Sequence, residues 1–362
     1  MEDTLARDER AVRSMIRAAR LTLLRLAACL PLALLVLTAQ QVILPQRNGL
    51  AAVAEIIAPH LFAVTSVALL VLLLAGRGDR IHDLASDRPR RFIAVGLVAI
   101  VAVGVVRFGP GMFAVPPAPT PGDLVVRVMS WNLEATGSGV PGLLPVLEAS
   151  DADVIGLQEL DRSNSAAIAA DATLAVRYPY RLLRPSDGSD GIGLLSSHPV
   201  IDSGAIDDPS AIRALLDLGG GRTLLVVTAH PHPGSLTTLF DPPLPIDFDA
   251  TQRDASLVRL RQTFVDPNRS VGEPLVLFGD FNTTDREPAF ADLSAGLQDA
   301  QDAVGVGLGS TWRPHDIEWL PFGLLTIDHV LVGAPAAPLS ISPDCTPRGS
   351  DHCILRATIE VP

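Results

Sequence analysis

Apolar residues crowd the first third of the chain and thin out after residue 109. Three runs, 21–44, 60–75 and 92–108, approach the length that a bilayer core asks of a helix rising about 1.5 Å per residue, and each is predicted to cross a membrane. Beyond them the pattern changes to short apolar stretches between turn signals: "DLVVRVMSW", "DVIGLQ", "GIGLLSS", "TLLVVTAH", "PLVLFGD", "LTIDHVLV" and "CILRATIEV", all of which predict strands. Helical periodicity is sparser. "GLLPVLEAS" predicts a short helix, and "DATQRDASLVRLRQTFV" a longer one, capped by Asp249 and carrying Leu257, Leu260 and Phe264 on one face. Strands alternating with a few helices predict one α/β domain of packed sheets over residues 123–362, with no internal repeat.

Composition agrees with a chain divided between lipid and water. A hydrophobic share of 48% and a mean hydropathy of +0.33 are high for a wholly soluble protein, and 362 residues exceed one ordinary domain. The arginine-rich leader and the sequence "LTAQQ" would also fit a cleaved secretory signal in place of the first span. Arg7, Arg10, Arg13, Arg17 and Arg20 precede that span, and Arg77, Arg80, Arg88, Arg90 and Arg91 stand between the second and third, whereas the first loop holds Arg47 alone. By the positive-inside rule this arrangement puts everything after Phe108 outside the cytoplasm, and cleavage of the first span would not change that. The expected organisation is a membrane anchor over 1–108, a stiff Pro/Gly-rich spacer over 109–122, and a soluble domain over 123–362.

Charge narrows the function. Residues 1–120 carry a balance of +5 and the remainder −17, together the −12 of the whole chain. So acidic a domain is a poor landing site for long polyphosphate backbones. The chain has no lysine, which removes P-loop and Schiff-base chemistry.

The candidate chemistry stands at strand ends. Asn132 follows "VMSW", Glu159 follows "VIGLQ", His230 follows "LLVVTA", Asp280 and Asn282 follow "LVLFG", Asp328 sits in "TIDHVLV", and Asp351 with His352 opens the last strand. Any one of these could be a turn or a cap; eight polar residues at six strand ends predict a site.

Together "SWNL", "GLQEL", "GIGLLSSHPV", "TAHPHP", "GDFNTTD", "STWRP", "IDHVLV" and "GSDHC" resemble, in order, the motifs of the endonuclease/exonuclease/phosphatase family over about residues 123–360. The departures are Ser197, where that family commonly has arginine, and "TAHPHP", where it more usually ends in Thr-His-Leu. The resemblance implies a four-layer α/β sandwich of two packed mixed β-sheets flanked by helices, here following a bundle of three transmembrane helices. It also implies metal-dependent hydrolysis of phosphate esters, with magnesium, or manganese in its place, as the cofactor.

By the same resemblance, Glu159 assisted by Asn132 would hold the metal, with Asp351 as a further ligand. Asp280 would activate the attacking water, Asn282 would donate to a phosphoryl oxygen, and His230 would bind phosphate or assist the leaving group. His352 would do acid/base work, oriented by Asp328 rather than by Asp351, because neighbours on a strand face opposite ways. Thr311 and Arg313 are candidate substrate contacts, and Trp312 is expected to be structural.

Other features carry less. Ser350, Asp351 and His352 lie side by side and cannot form a nucleophilic triad, and "GGGR" at 219–222 reads as a turn between strands. His198, His232, His315 and His329 lack metal-ligand spacing, while Glu55 and His60 lie near a membrane interface. Cys345 and Cys353 are the cysteines outside the apolar runs, and in an extracytoplasmic domain they would form a disulfide or remain small strand residues. Three substrates compete: a lipid headgroup, favoured by tethering; nucleic acid, disfavoured by charge; and soluble phosphomonoesters. A non-catalytic binding module on the same fold is the alternative outside enzymology.

Overall fold

The computed structural model describes residues 2–75, 84–109, 112–135, 140, 142–240 and 244–362. Arg77 and Arg80, used above for orientation, lie outside them. Four helices come first: α1 (Glu2–Ile43), α2 (Gly49–Ile56), α3 (Ala58–Ala75) and α4 (Leu84–Phe108). Residues 1–46 and 57–109 form one compact unit, and residues 47–56 cluster instead with 110–362. The division at 108 drawn from the sequence assigns 47–56 to the anchor; the fold assigns that stretch to the second unit.

In the first unit Leu24, Leu34, Phe62, Leu69, Ile93 and Ile100 bury one another between α1, α3 and α4. Gly96 permits this contact, since a Cβ there would lie 2.5 Å from Pro31 Cγ. Two segments, Ser14–Ile43 and Arg88–Phe108, are long and apolar enough to cross a membrane, and a third qualifies if α2 and α3 make one broken span.

The second unit is built on two six-stranded mixed sheets. The first contains β1 (Leu124–Asn132), β2 (Val154–Gln158), β3 (Tyr180–Arg184), β4 (Ile192–Ser196), and, from the end of the chain, β13 (Ala337–Asp344) and β14 (Ile354–Val361), in the order β13-β14-β1-β2-β4-β3. The second contains β5 (Val200–Asp207), β6 (Ser210–Gly219), β7 (Arg222–His230), β10 (Leu275–Asp280), β11 (Gln298–Asp299) and β12 (Asp328–Gly333), in the order β11-β12-β10-β7-β6-β5. A separate hairpin joins β8 (Ser235–Leu239) to β9 (Leu244–Asp249). Only β1–β2 and β7–β10 run parallel among the named pairs.

Alternation along the strands explains the layering. Val126, Val128, Val154 and Leu194 of the first sheet meet Ile212, Val226, Val276, Phe278 and Val330 of the second in a shared core. The opposite face of the first sheet packs on α5 (Leu143–Ala149), α6 (Arg162–Ala170) and α7 (Ala172–Arg177) through Leu143, Leu147, Ile168 and Leu174. The opposite face of the second packs on α8 (Thr251–Leu260) and, after α9 (Asp266–Val271), on α10 (Pro288–Ser294), through Leu257, Leu260, Phe264, Phe290 and Leu293; α11 (Ala300–Val304) adds Ala300 and Val304 to the shared core. The sheets approach closely at Gly156, where a Cβ would collide with Thr228 Oγ1.

Details differ from the sequence expectation. Ala250, not Asp249, is the N-cap of α8; Asp249 ends β9 and accepts from the Thr251 amide at 2.8 Å. The helix expected to run on through Val265 passes into a π turn at Arg261–Val265. The Pro/Gly-rich spacer is pinned to the second unit, Phe113 bridging to Val306 and the Met112 carbonyl accepting from the Gly307 amide at 3.0 Å. "GGGR" is the β6–β7 turn, with Gly219, Gly220 and Gly221 all at positive φ.

Candidate active site

The strand ends named above converge on one cleft of about 320 Å³ in the second unit. Glu159, His230, Asp280, Asn282, Trp312, Asp351 and His352 line it, together with Glu134, Arg253, Glu287 and Ile56. The convergence has a topological cause: parallel β1–β2 and parallel β7–β10 each send their C-terminal ends the same way, and the two sheets stack. Residues far apart in sequence thereby reach hydrogen-bonding distance.

Asn132 sits at the centre and is fully buried. Its Oδ1 accepts from the Glu134 backbone amide at 2.9 Å, and a backbone N–H can only donate, so the amide orientation is fixed. Nδ2 therefore donates to Glu159 Oε1 at 3.1 Å and to Asp280 Oδ2 at 2.9 Å. In this orientation Asn132 steadies two carboxylates with its nitrogen, and the Glu134 amide takes one lone pair of its oxygen. Glu159 Oε2 accepts from the Ala135 amide at 2.8 Å.

Asp280 ends β10, and Gly279 before it, at φ 145°, allows the chain to pass Ala229, whose carbonyl oxygen a Cβ would strike. Asn282 lies beyond the strand, so simple strand alternation does not place it. Asp280 Oδ1 accepts from the Asn282 amide at 2.8 Å in a local turn, and Asn282 takes φ 53°. Glu134 and Glu159 adopt φ 50° and 53°, so three cleft residues hold left-handed backbone just past strands, a conformation that tertiary contacts must maintain. Phe281, between Asp280 and Asn282, is fully buried among Leu257, Phe290 and Leu293.

Two histidines face Asp280. His230 Nδ1 donates to the Ser189 carbonyl at 3.0 Å, which leaves Nε2 to accept from Asn282 Nδ2 at 3.1 Å. The other Asn282 Nδ2 bond goes to the Pro231 carbonyl at 3.0 Å, so Asn282 holds His230 in place and a phosphoryl oxygen would have to compete for its hydrogens. His352 Nδ1 lies 2.9 Å from Asp328 Oδ2, and its Nε2 lies 3.6 Å from Asp280 Oδ2. Burial pulls His352 down, but the carboxylates of Asp328, Asp280 and Asp351 outweigh it and lift the imidazolium to about 10. Burial raises Asp280 to about 6, with the Asp328 charge adding to it and the two histidines opposing.

The donor set fits a hard divalent cation. Carboxylates of Glu134, Glu159, Asp280 and Asp351 all face the cleft. Asp280, Asp328 and His352 bring one ligand atom each within 4.8 Å of one another, and Asp328 Oδ1 is buried without a hydrogen-bond partner.

Thr311 and Arg313, expected to touch substrate, do not line the cleft, and that expectation is corrected. The segment is extended, so alternate side chains face alternate ways, and Trp312 takes the cleft side with Nε1 donating to Asp351 Oδ2 at 2.7 Å. Thr311 Oγ1 accepts from the Asp328 amide at 3.2 Å, and Arg313 is buried against Cys353 Sγ at 3.0 Å and the Cys345 carbonyl at 3.3 Å. Cys345 and Cys353 are joined as a disulfide. Ser350 is a scaffold group, donating to the Asn132 carbonyl at 2.8 Å and accepting from the His352 amide at 3.1 Å.

Sequence reasoning missed Glu134, Arg253 and Glu287. Glu134 Oε2 accepts from the Asp351 amide at 3.0 Å and from His315 Nδ1 at 3.2 Å; it stood two residues after Asn132, which was the available signal. Arg253 has no such signal. It is 2% exposed, bonds the Asn282 carbonyl at 3.1 Å, and pairs with Glu287 at 2.7 Å and Asp254 at 2.9 Å.

A model described as "Endonuclease/Exonuclease/phosphatase family" matches residues 129–352. A family protein of that description from Bacteroides thetaiotaomicron aligns at 15% identity and a TM-score of 0.51, covering 66% of this chain and 99% of its own. A conserved protein of unknown function from Enterococcus faecalis V583 aligns at 16% and 0.50, covering 65% and 100%. D. rerio TDP2, solved with a single-strand DNA product, aligns at 19% and 0.49, covering 66% and 99%. No curated protein matches the chain.

Proposed function

The chain belongs to the endonuclease/exonuclease/phosphatase family, and from that premise we propose that it is a membrane-tethered, magnesium-dependent hydrolase of phosphate esters whose cleft works outside the cytoplasm. The observation that carries the reading is the buried Asp328–His352–Asp280 line, with 2.9 Å and 3.6 Å between successive groups. Orientation rests on the arginines flanking the apolar runs.

Asp280 receives a proton from the attacking water as its oxygen bonds to phosphorus, and a carboxylate lifted to about 6 suits that task at neutral pH. His352, protonated and held by Asp328, stabilises charge on the phosphoryl oxygens. As the P–O bond to the leaving group breaks, that oxygen takes its proton from cleft water, beside which His230 stands, steadied by Asn282 and Ser189. Glu159 and Asp351, with Glu134 beside them, would hold magnesium, which supplies charge neutralisation when bound.

The test is turnover of bis(p-nitrophenyl) phosphate, phospholipid, sugar phosphate and plasmid DNA by full-length protein with magnesium. Asp280→Asn and His352→Ala should each lower turnover of the accepted substrate at least ~100-fold with the fold intact. Near-normal turnover in either variant rejects the assigned site. A folded wild-type protein that hydrolyses none of the four favours the binding module.

A further inference from the structure

The cleft rim is apolar where it need not be. Pro233, Gly234 and Phe248 line the cleft, and the β8–β9 hairpin grows directly from them. Its outer part exposes Leu236, Leu239, Phe240, Leu244 and Ile246, with Phe240 78% and Leu244 56% exposed. The hairpin belongs to neither large sheet, so core packing does not require these residues. Its base is anchored: Phe248 is buried with Ala250 against Ala52, Val53 and Ile56 of α2, and Ile56 also lines the cleft.

The chain itself fixes where α2 can be. Five residues separate the end of α1 at Ile43 from Gly49, a reach of roughly 18 Å when extended, and Ile57 alone separates α2 from α3. A segment so short is tied at both ends to apolar helices, so it has only a short reach from any bilayer that those helices enter. The exposed apolar hairpin packs on that segment. Trp312 and Leu325 also line the cleft and bond each other's backbones, and the loop between them exposes Trp319 and Phe322, residue types that membrane-surface elements use.

We propose that α2 and the β8–β9 hairpin form a lipid-facing rim that seats the cleft on the bilayer, and that the substrate is accordingly a phosphate ester in a lipid headgroup. The substrate assignment rests on the hydrolase reading above; the lipid-facing rim does not. Apolar side chains at the rim enter the headgroup layer, where burial of their surface offsets loss of headgroup contacts, and the acidic body remains in water.

The test uses the full-length chain with Cys29→Ser, reconstituted in vesicles of phosphatidylcholine with a minor share of phosphatidylglycerol. A bimane label on Phe240→Cys is compared with one on Val176→Cys, which is 85% exposed and lines no part of the cleft. Nitroxide-bearing lipids should quench the label at 240 several-fold more than that at 176, roughly the contrast between interface and bulk water. Equal quenching overturns the lipid-facing rim, including the case in which the hairpin docks a protein instead. A second arm measures Leu239→Ser/Phe240→Ser on bis(p-nitrophenyl) phosphate and on vesicles of the host's total polar lipids. Hydrolysis of the soluble ester should persist while release from vesicles falls about tenfold. Wild-type protein that cleaves the soluble ester but no vesicle lipid overturns the substrate assignment alone, whereas failure on both overturns the hydrolase reading and leaves the quenching result standing.

Discussion

Replacing Arg253 with methionine tests how the cleft is held. The guanidinium is 2% exposed, and Glu287, its partner at 2.7 Å, is 4% exposed. Removing one member of a buried pair strands the other charge and costs about 3–5 kcal/mol, whereas removing both costs less than the two single losses summed. Glu287→Gln keeps Oε1 for the Thr284 amide at 2.8 Å and leaves Arg253 its bond to Asp254, so its cost should be about 1–2 kcal/mol. The double variant should then fall short of the summed losses by about 2 kcal/mol. In a unit of this size that makes Arg253→Met a loss of roughly 6–20 °C in midpoint, read by near-UV circular dichroism of the full-length protein in detergent. Turnover should fall as well, by roughly tenfold or more, because a charge-assisted bond to the Asn282 carbonyl is worth about 1.5–3 kcal/mol and Asn282 in turn holds His230. A midpoint shift under about 2 °C, or losses that simply add in the double variant, would refute the reasoning.

Three further outcomes follow from other parts of the molecule. Glu159→Gln should raise the magnesium concentration for half-maximal turnover by about tenfold, since a charged ligand becomes neutral at constant shape, and an unchanged titration would move the metal elsewhere. Cys345→Ser/Cys353→Ser opens a loop with a sequence separation of 8 and should cost about 2.5 kcal/mol on the chain-entropy model, measured by denaturant midpoint; an unchanged midpoint discards that model for this site. Burial lifts Asp299 to about 8, with Asp302 adding to it, and its Oδ2 has no hydrogen-bond partner. Its unfolded carboxyl ionises near 4, so between about 4 and 8 the unfolded chain binds fewer protons and stability declines as pH rises. Asp299→Asn keeps the cap on the Gln301 amide at 3.0 Å without the titration, so its stability relative to wild type should be greater at pH 8 than at pH 5 in paired thermal melts. An identical difference at both pH values contradicts the buried-carboxyl account.

Legibility in the sequence followed the range of the interactions involved. All seven strands read from apolar runs are present, because fully buried strands such as β2, β4, β10 and β12 advertise themselves as uninterrupted hydrophobic segments. Of the strands not among those seven, β5 and β8 are largely exposed and mix polar with apolar residues, so no period stands out, whereas β13 is mostly covered and escaped because serine and proline interrupt its apolar run. The strand-end polar residues were equally visible, since each sits where a local pattern breaks. Thr311 and Arg313 were misplaced because a motif names neighbours, while an extended backbone sends neighbours to opposite sides.

The sequence by itself determined the apolar first third, the acidic remainder, the family and the set of polar groups at strand ends, all of them properties of contiguous residues. Tertiary structure decided which of those groups meet. Asn132 bonds Asp280 across a separation of 148 residues only because two sheets stack with their parallel pairs aligned. The same packing recruited Arg253 from a helix face and residues 47–56 from a loop between apolar helices, since burial is a property of surfaces brought together and no single segment encodes it.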